Sequence, residues 1–119
     1  MRAQERARTL LMDAQIPVYE PGQYAGQCKV PYVVVQCYGN YPTVQARRLT
    51  YTLLLVRCYV PLDGKQTEAL AALAERVRAA MRPMRPQARP TGQEGPHMIE
   101  ESYKALSCYI EYQILKRMD

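Results

Sequence analysis

The stretch that decides the fold is LTYTLLLVRCYV, residues 49–60, together with YKALSCYIEYQIL, residues 103–115, near the end of the chain. One face of the second stretch is apolar and consists of Leu106, Cys108, Ile110, Tyr112 and Ile114. The other face is more polar and consists of Ala105, Ser107, Tyr109, Glu111 and Gln113. A repeat of two residues is typical of a half-buried strand. Both stretches are therefore predicted to be long strands of one sheet.

Two helices are predicted from apolar residues at helical spacing. The first covers residues 2–15 and stops before Pro17, which ends a helix. The second begins after Asp63, interpreted as its N-cap with Gln66 in the capping-box position, and ends near Met81. The predicted buried stripe of the second helix comprises Leu70, Leu73, Ala74, Val77 and Met81.

The remaining segments are predicted as short strands, turns and loops. Residues 18–19 are predicted to be extended, and residues 30–38 to form a strand that is apolar on both faces. The sequence GNYP at residues 39–42 is a turn signal. Residues 82–96 contain so many prolines and glycines that they are predicted to form a long irregular loop, a type of segment that is often functional.

These elements predict a single domain, residues 1–119, of the α+β class. The expected architecture is a two-layer domain, with an antiparallel or mixed sheet of about four strands and two helices on one face. The sequence leaves open which sheet face packs on the helices. Alternate positions of the first long strand form two sets, each too apolar to face water alone. They are Thr52, Leu54, Val56, Cys58 and Val60, and Tyr51, Leu53, Leu55, Arg57 and Tyr59.

A monomer whose helices cover only one of these sets would expose an apolar patch, and such patches mark association surfaces. We therefore expect the chain to form a homo-oligomer. The alternative is that the first helix and the loops cover the second face. The chain contains ten tyrosines but no Phe and no Trp. The tyrosines either lie at surfaces that are buried on assembly or replace Phe within the sheet.

Charge and cysteine content exclude only a few classes of function. A net charge of +5 favours contact with phosphates or acidic surfaces, or simply provides a solvated face. The four cysteines are irregularly spaced without a Cys-x-x-Cys motif, which predicts free thiols in a reducing compartment rather than a zinc site. No apolar stretch approaches ~20 residues and no signal peptide is recognisable, so neither a membrane span nor membrane contact is expected.

Residues suited to catalysis or cofactor binding are scarce. His97 is the only histidine and lies in a loop without a nucleophile at a suggestive spacing. The segment DGKQT at residues 63–67 lacks the first glycine of a phosphate-binding loop, because Tyr59 stands at that position. The sequence therefore predicts no catalytic residues, no cofactor and no metal, and the chain is not expected to be an enzyme.

Two stretches resemble a known family. LLMDAQIPVYEPGQYAGQCKVPYVVVQ, residues 10–36, and RPTGQEGPHMIEESYKALSCYIEYQILKR, residues 89–117, resemble the tail terminator or head-tail joining proteins of siphophages and prophages. The resemblance implies a virion structural protein that forms a ring, typically a hexamer, at the end of the tail tube. Such a ring stops tube polymerisation and presents a surface to the head-completion or neck protein.

Further expectations follow from this resemblance. Partners would be other copies of the chain, the tail tube protein and the neck protein, with DNA only passing through the channel. The protein would lie in the tail-neck region of the virion, and in the host cytoplasm during assembly. From side-chain type, the candidate oligomer interface is Tyr51, Leu53, Leu55 and Tyr59, or the opposite set. Candidates for contact with a partner or with channel DNA are Arg47, Arg48, Arg85 and Arg89.

Two other functions remain open from the sequence. One is another phage neck, head-completion or minor capsid protein, which would equally lack catalysis. The other is a small nucleic-acid-binding module in which sheet tyrosines stack on bases. Bulky aliphatic residues between the tyrosines favour protein contact over base stacking.

Overall fold

Two long strands form the centre of the molecule. The computed structural model describes residues 3–23, 26–42 and 49–117. Strand β3 (Leu49–Pro61) and strand β6 (Ala105–Arg117) each have 13 residues. They pair antiparallel over their whole length. The prediction of two long strands is confirmed, although the second begins and ends slightly later than the sequence pattern indicates.

The other elements complete a mixed sheet and a helical layer. They are α1 (Ala3–Asp13), β1 (Val18–Tyr19), β2 (Tyr32–Pro42), α2 (Gln66–Met81), β4 (Ala88–Glu94) and β5 (Met98–Glu100). The strand order is β1-β2-β3-β6-β4, and β5 also pairs with β6. The β1–β2 pair is parallel and the other pairs are antiparallel. The chain is thus α+β as predicted, but its sheet has six strands rather than about four.

Both helices pack on the same face of the sheet, here called the helical face. Helix α1 contacts β1 and β2, helix α2 contacts β3 and β6, and the helices contact each other. The predicted stripe of α2 is confirmed, because all five of its residues are buried. The sheet residues in this core include Val33, Val35, Leu54, Val56, Cys58, Val60, Leu106, Ile110, Tyr112 and Ile114. Burying each large aliphatic side chain contributes about 1.5–3 kcal/mol, so this layer holds the fold together.

The segment after α2 is not the irregular loop predicted from its prolines and glycines. It forms β4 and β5, both of which pair with β6. Pro90 is tolerated because β4 is an edge strand, where a missing N–H interrupts no further ladder. The pairing register also shifts between Pro90 and Glu94. The prediction was wrong because a long partner strand outweighs the local preference of the sequence.

Two predicted boundaries are also corrected. Helix α2 has Lys65 as its N-cap, without a side-chain cap bond, so Asp63 is not the N-cap. Asp63 Oδ1 instead accepts a hydrogen bond from the Lys65 N–H at 2.9 Å, which closes the turn before the helix. Strand β2 continues to Pro42 through the predicted turn, with a register shift between Tyr38 and Asn40 that absorbs the glycine between them.

Long central strands make the molecule elongated. Its principal extents are 49 × 26 × 24 Å, and its radius of gyration is 14.9 Å. A compact domain of this length would have a radius of gyration of about 13.5 Å. A strand of 13 residues, such as β3 or β6, spans roughly 43 Å at about 3.3 Å per residue. The sheet therefore presents an extended surface on the side away from the helices.

Candidate assembly surface

The second face of the sheet lies opposite the helical face, and neither α1 nor α2 packs on it. Its side chains alternate along each strand with those of the core. From β3 and β2 it receives Tyr51, Leu53, Leu55, Arg57, Tyr59, Tyr32, Val34 and Gln36. From β6 it receives Ser107, Tyr109, Glu111, Gln113 and Leu115. This surface contains all four residues of the predicted interface, because they occupy alternate positions of one strand.

Antiparallel pairing arranges these side chains in rows across the strands. The rows are Leu53–Gln113–Arg89, Gln36–Leu55–Glu111, Val34–Arg57–Tyr109 and Tyr32–Tyr59–Ser107. Neighbours in a row have Cβ atoms about 4.5–5.5 Å apart, close enough to interact. Each row combines apolar and polar groups. The second face is therefore amphipathic, as protein-protein interfaces commonly are.

The predicted interface residues differ in how much surface they still offer. Tyr51, Leu53 and Tyr59 are half-buried, whereas Leu55 is only 5% exposed. Leu55 lies directly opposite Glu111, so a carboxylate introduced at position 55 would also strain the single chain. Leu53 keeps exposed apolar surface and lies beside Gln113, a neutral residue. It is the better position at which to test association.

Loops cover one end of the second face. The rings of Tyr32 and Tyr59 are stacked with centroids 4.9 Å apart, and Tyr19 meets Tyr32 edge-on at 5.4 Å. Burial raises the pKa of Tyr59. Cys28 is buried in the same cluster, and its N–H donates to the Tyr103 carbonyl at 2.7 Å. At this end, loops of the same chain cover the aromatic rings.

The opposite end of the second face, around Tyr51 and Leu53, is less covered. Of the residues that the structure describes there, Tyr51, Leu53 and Leu115 are half-buried side chains with large apolar parts. Gln113 and Arg89 add polar groups at the margin of the sheet. An apolar centre with a polar rim is the arrangement by which proteins associate without aggregating. This part of the second face is here called the open half.

Two of the predicted partner-contacting arginines, Arg85 and Arg89, are described by the structure, and they lie in different layers of the fold. Arg89 is exposed on β4 opposite Gln113, and directly paired residues share a face, so it belongs to the open half. The sequence predicted Arg89 as a contact residue but did not place it on the sheet, because it did not predict β4. The continuity of the row beginning at Leu53 appears only once β4 is paired with β6.

Arg85 lies elsewhere, in the connection between α2 and β4. Its guanidinium donates to the Met84 carbonyl at 2.8 Å, and its own carbonyl accepts a hydrogen bond from Arg6 of α1 at 3.1 Å. Arg85 thus belongs to the helical layer, away from the open half. Arg47 and Arg48 lie outside the described residues.

The structure offers little to catalysis or metal binding in the part of the chain that it describes. In residues 3–23, 26–42 and 49–117, no three His, Cys, Asp or Glu side chains are grouped so as to hold a metal ion. His97 is exposed and borders a cavity that also contains Cys108 and Arg78. Over the same ranges, no helix has both the length and the apolar character needed to cross a bilayer.

Comparison of the sequence with protein-family models and with curated proteins gave no match. The tail-terminator resemblance therefore remains the basis of a proposal.

Proposed function

We propose that this chain is a structural protein of a siphophage or prophage, forming a homo-oligomeric ring at the end of the tail tube. The ring, hexameric by the resemblance, stops polymerisation of the tube protein and provides the attachment surface for the neck protein. DNA passes through its channel. The likeness of residues 10–36 and 89–117 to tail terminators supports this role, as does an α+β chain with both helices on one sheet face.

One observation carries the proposal: the open half of the second face presents half-buried apolar side chains that neither helix covers. Leu53 and Tyr51 stand on β3, which is antiparallel to both of its neighbours. The face of an antiparallel sheet that is left to water normally carries polar side chains, so apolar ones at these positions favour contact with another molecule. Contact with a neighbouring copy would remove this surface from water, at about 25 cal/mol per Å² of apolar area. A ring requires such a contact to be repeated head to tail between copies.

A ring protein of this kind needs other surfaces for unlike partners. Met98 and Ile99 in β5 are 54% and 62% exposed, which is high for large apolar side chains. Arg85 lies in the helical layer, on the other side of the sheet from the open half. We assign these two regions to the tube and neck partners, with the open half reserved for the neighbouring subunit.

The role is tested by electron microscopy of phage particles made without this protein. A terminator predicts overlong tails, which are restored to normal length by the wild-type chain and by the control Ala72→Glu on the exposed side of α2. Leu53→Glu is expected to leave the tails overlong, because a charge in the open half opposes subunit contact. Tails of normal length beside unjoined heads would instead identify a neck protein and contradict the proposal.

A further inference from the structure

Two cysteines face each other across the central strand pair. Cys58 of β3 and Cys108 of β6 are directly opposite in the antiparallel register, and both are free thiols. Both point to the helical face, where they belong to or pack against the core. Directly opposed residues have Cα atoms about 4.5–5.5 Å apart, within the roughly 4.4–6.8 Å range of disulfides. The strand pair therefore already provides the backbone spacing of a disulfide.

The two thiols are chemically unequal. Cys58 is fully buried, whereas Cys108 is half-buried. A hydrogen bond between the two side chains raises the pKa of Cys58, as does its burial, and lowers the pKa of Cys108. Because the thiolate is the nucleophilic form of cysteine, Cys108 is the more reactive member of the pair.

Cys108 is reached through a cavity of about 220 Å³ between α2 and β6. Arg78 in this cavity is held by Glu75 at 2.9 Å and by Glu94 at 2.6 Å, so two carboxylates surround one guanidinium. This local excess of negative charge disfavours anionic reagents such as glutathione disulfide. A water molecule occupies about 30 Å³ in the liquid, so a small neutral hydroperoxide has room to enter.

We propose that Cys108 is a site of oxidation by hydroperoxides and that Cys58 is its resolving cysteine. The Cys108 thiolate attacks one peroxide oxygen and the O–O bond breaks. The other oxygen takes a proton and leaves as an alcohol, or as water from hydrogen peroxide, and Cys108 becomes a sulfenic acid. The Cys58 sulfur, on losing its proton, then attacks the Cys108 sulfur. The S–O bond breaks, and the oxygen leaves as water.

The overall reaction balances, and it does not depend on the proposed virion role. Two thiols and one hydroperoxide give one disulfide, one alcohol and one water. The new bond would close residues 58–108 into a loop that contains α2, β4 and β5. Constraining such a loop lowers the entropy of the unfolded chain, so the oxidised form should unfold at a higher urea concentration.

The remaining two cysteines provide an internal control. Cys28 is buried in the tyrosine cluster, and its thiol donates to the Val30 carbonyl at 3.3 Å. Cys37 is half-buried in β2, directly opposite Leu54 rather than another cysteine. Burial raises the pKa of both thiols. Both should therefore react with peroxide more slowly than Cys108.

The experiment treats the full-length folded protein with hydrogen peroxide at neutral pH, alkylates the remaining thiols and maps the peptides by mass spectrometry. We expect loss of two of the four titratable thiols, and a linked Cys58–Cys108 peptide lighter by two hydrogen atoms. In Cys58→Ala, which keeps a small apolar side chain in the core, Cys108 should accumulate as a sulfenic acid that dimedone traps.

Two results would overturn the proposal, and both are read from the wild-type chain, whether or not the variant folds. One is faster oxidation of Cys28 or Cys37 than of Cys108. The other is oxidation of Cys108 without formation of the linked peptide. Urea denaturation of the reduced and oxidised wild type adds a second readout, in which the midpoint should rise once the loop is closed.

Discussion

The two faces of β3 differ in what covers them rather than in how apolar they are. On the helical face, Leu54, Val56 and Val60 are all 0% exposed, because both helices pack there. On the second face, Tyr51 and Leu53 remain half-buried, although Leu54, the residue after Leu53, is fully buried. Burial stabilises an apolar side chain, but the identity of the residue does not say whether the same chain or another molecule provides the burial.

Truncation of a side chain on the helical face should have the largest effect on the free energy of unfolding. Leu54→Ala removes a fully buried side chain, and its expected cost is about 2–5 kcal/mol of unfolding free energy. Leu53→Ala, on the second face, should cost only about 1 kcal/mol in the monomer. Urea denaturation at a concentration where both variants are monomeric measures the difference. Equal losses would show that the two faces are buried alike.

A smaller loss is expected at Gly95, where the chain passes close to the second face. The Gly95 N–H donates to the Tyr109 carbonyl at 3.1 Å, and a Cβ added at Gly95 would overlap the Tyr109 ring. Gly95→Ala should therefore destabilise the fold by about 1–3 kcal/mol through overpacking. The control Gln93→Ala is exposed and should change stability by less than about 0.5 kcal/mol.

Thermal or urea unfolding of four variants provides this test: Gly95→Ala, Gln93→Ala, Tyr109→Ala, and Gly95→Ala combined with Tyr109→Ala. Removing the ring should recover part of the loss, since the clash is with that ring. If the double variant loses as much unfolding free energy as the two single variants together, the account of Gly95 is wrong.

The smallest expected effect is an increase in stability, on replacement of Tyr112 on the helical face. In the described part of the chain its hydroxyl is buried without a hydrogen-bond partner. Replacing it by Tyr112→Phe removes that unsatisfied group and should stabilise the fold by up to about 1 kcal/mol. Tyr103→Phe, at a position that is 37% exposed, is the matched control and should be neutral.

The same residue predicts a pH dependence. Burial raises the pKa of Tyr112 to about 12, above the value of about 10 in an unfolded chain. The neutral hydroxyl is favoured in the folded state, so its contribution is complete below pH ~10 and is lost as the pH rises toward 12. Stability of the wild type should therefore fall more steeply than that of Tyr112→Phe across this interval. Parallel pH profiles would contradict the assignment.

The sequence alone was sufficient to predict those elements whose structure is determined by their own residues. The period of two in β6 and the apolar stripe of α2 were both predicted correctly, because each pattern is read within a single element. Strand β4 was missed because its prolines and glycines argue for a loop, and only pairing with β6 makes it a strand. Asp63 was misassigned because a polar residue before a helix can close a turn as well as cap it.

The candidate site was predictable only in part for the same reason. The alternation along β3 correctly predicted that Tyr51, Leu53, Leu55 and Tyr59 share one face. It did not predict the loop cluster that covers Tyr59. Arg89 beside Gln113, and Cys58 opposite Cys108, depend on the register between segments far apart in sequence. A single sequence does not encode that register locally.

The most direct test of the central claim is the mass of the purified chain in solution, measured by light scattering over a range of concentrations. The open half should hold copies together, so the wild type and Ala72→Glu should exceed the monomer mass of 13.7 kDa. Leu53→Glu should remain at that mass with an unchanged circular dichroism spectrum. A Leu53→Glu chain that assembles like the wild type, or a wild type that is monomeric at every concentration, would contradict the account.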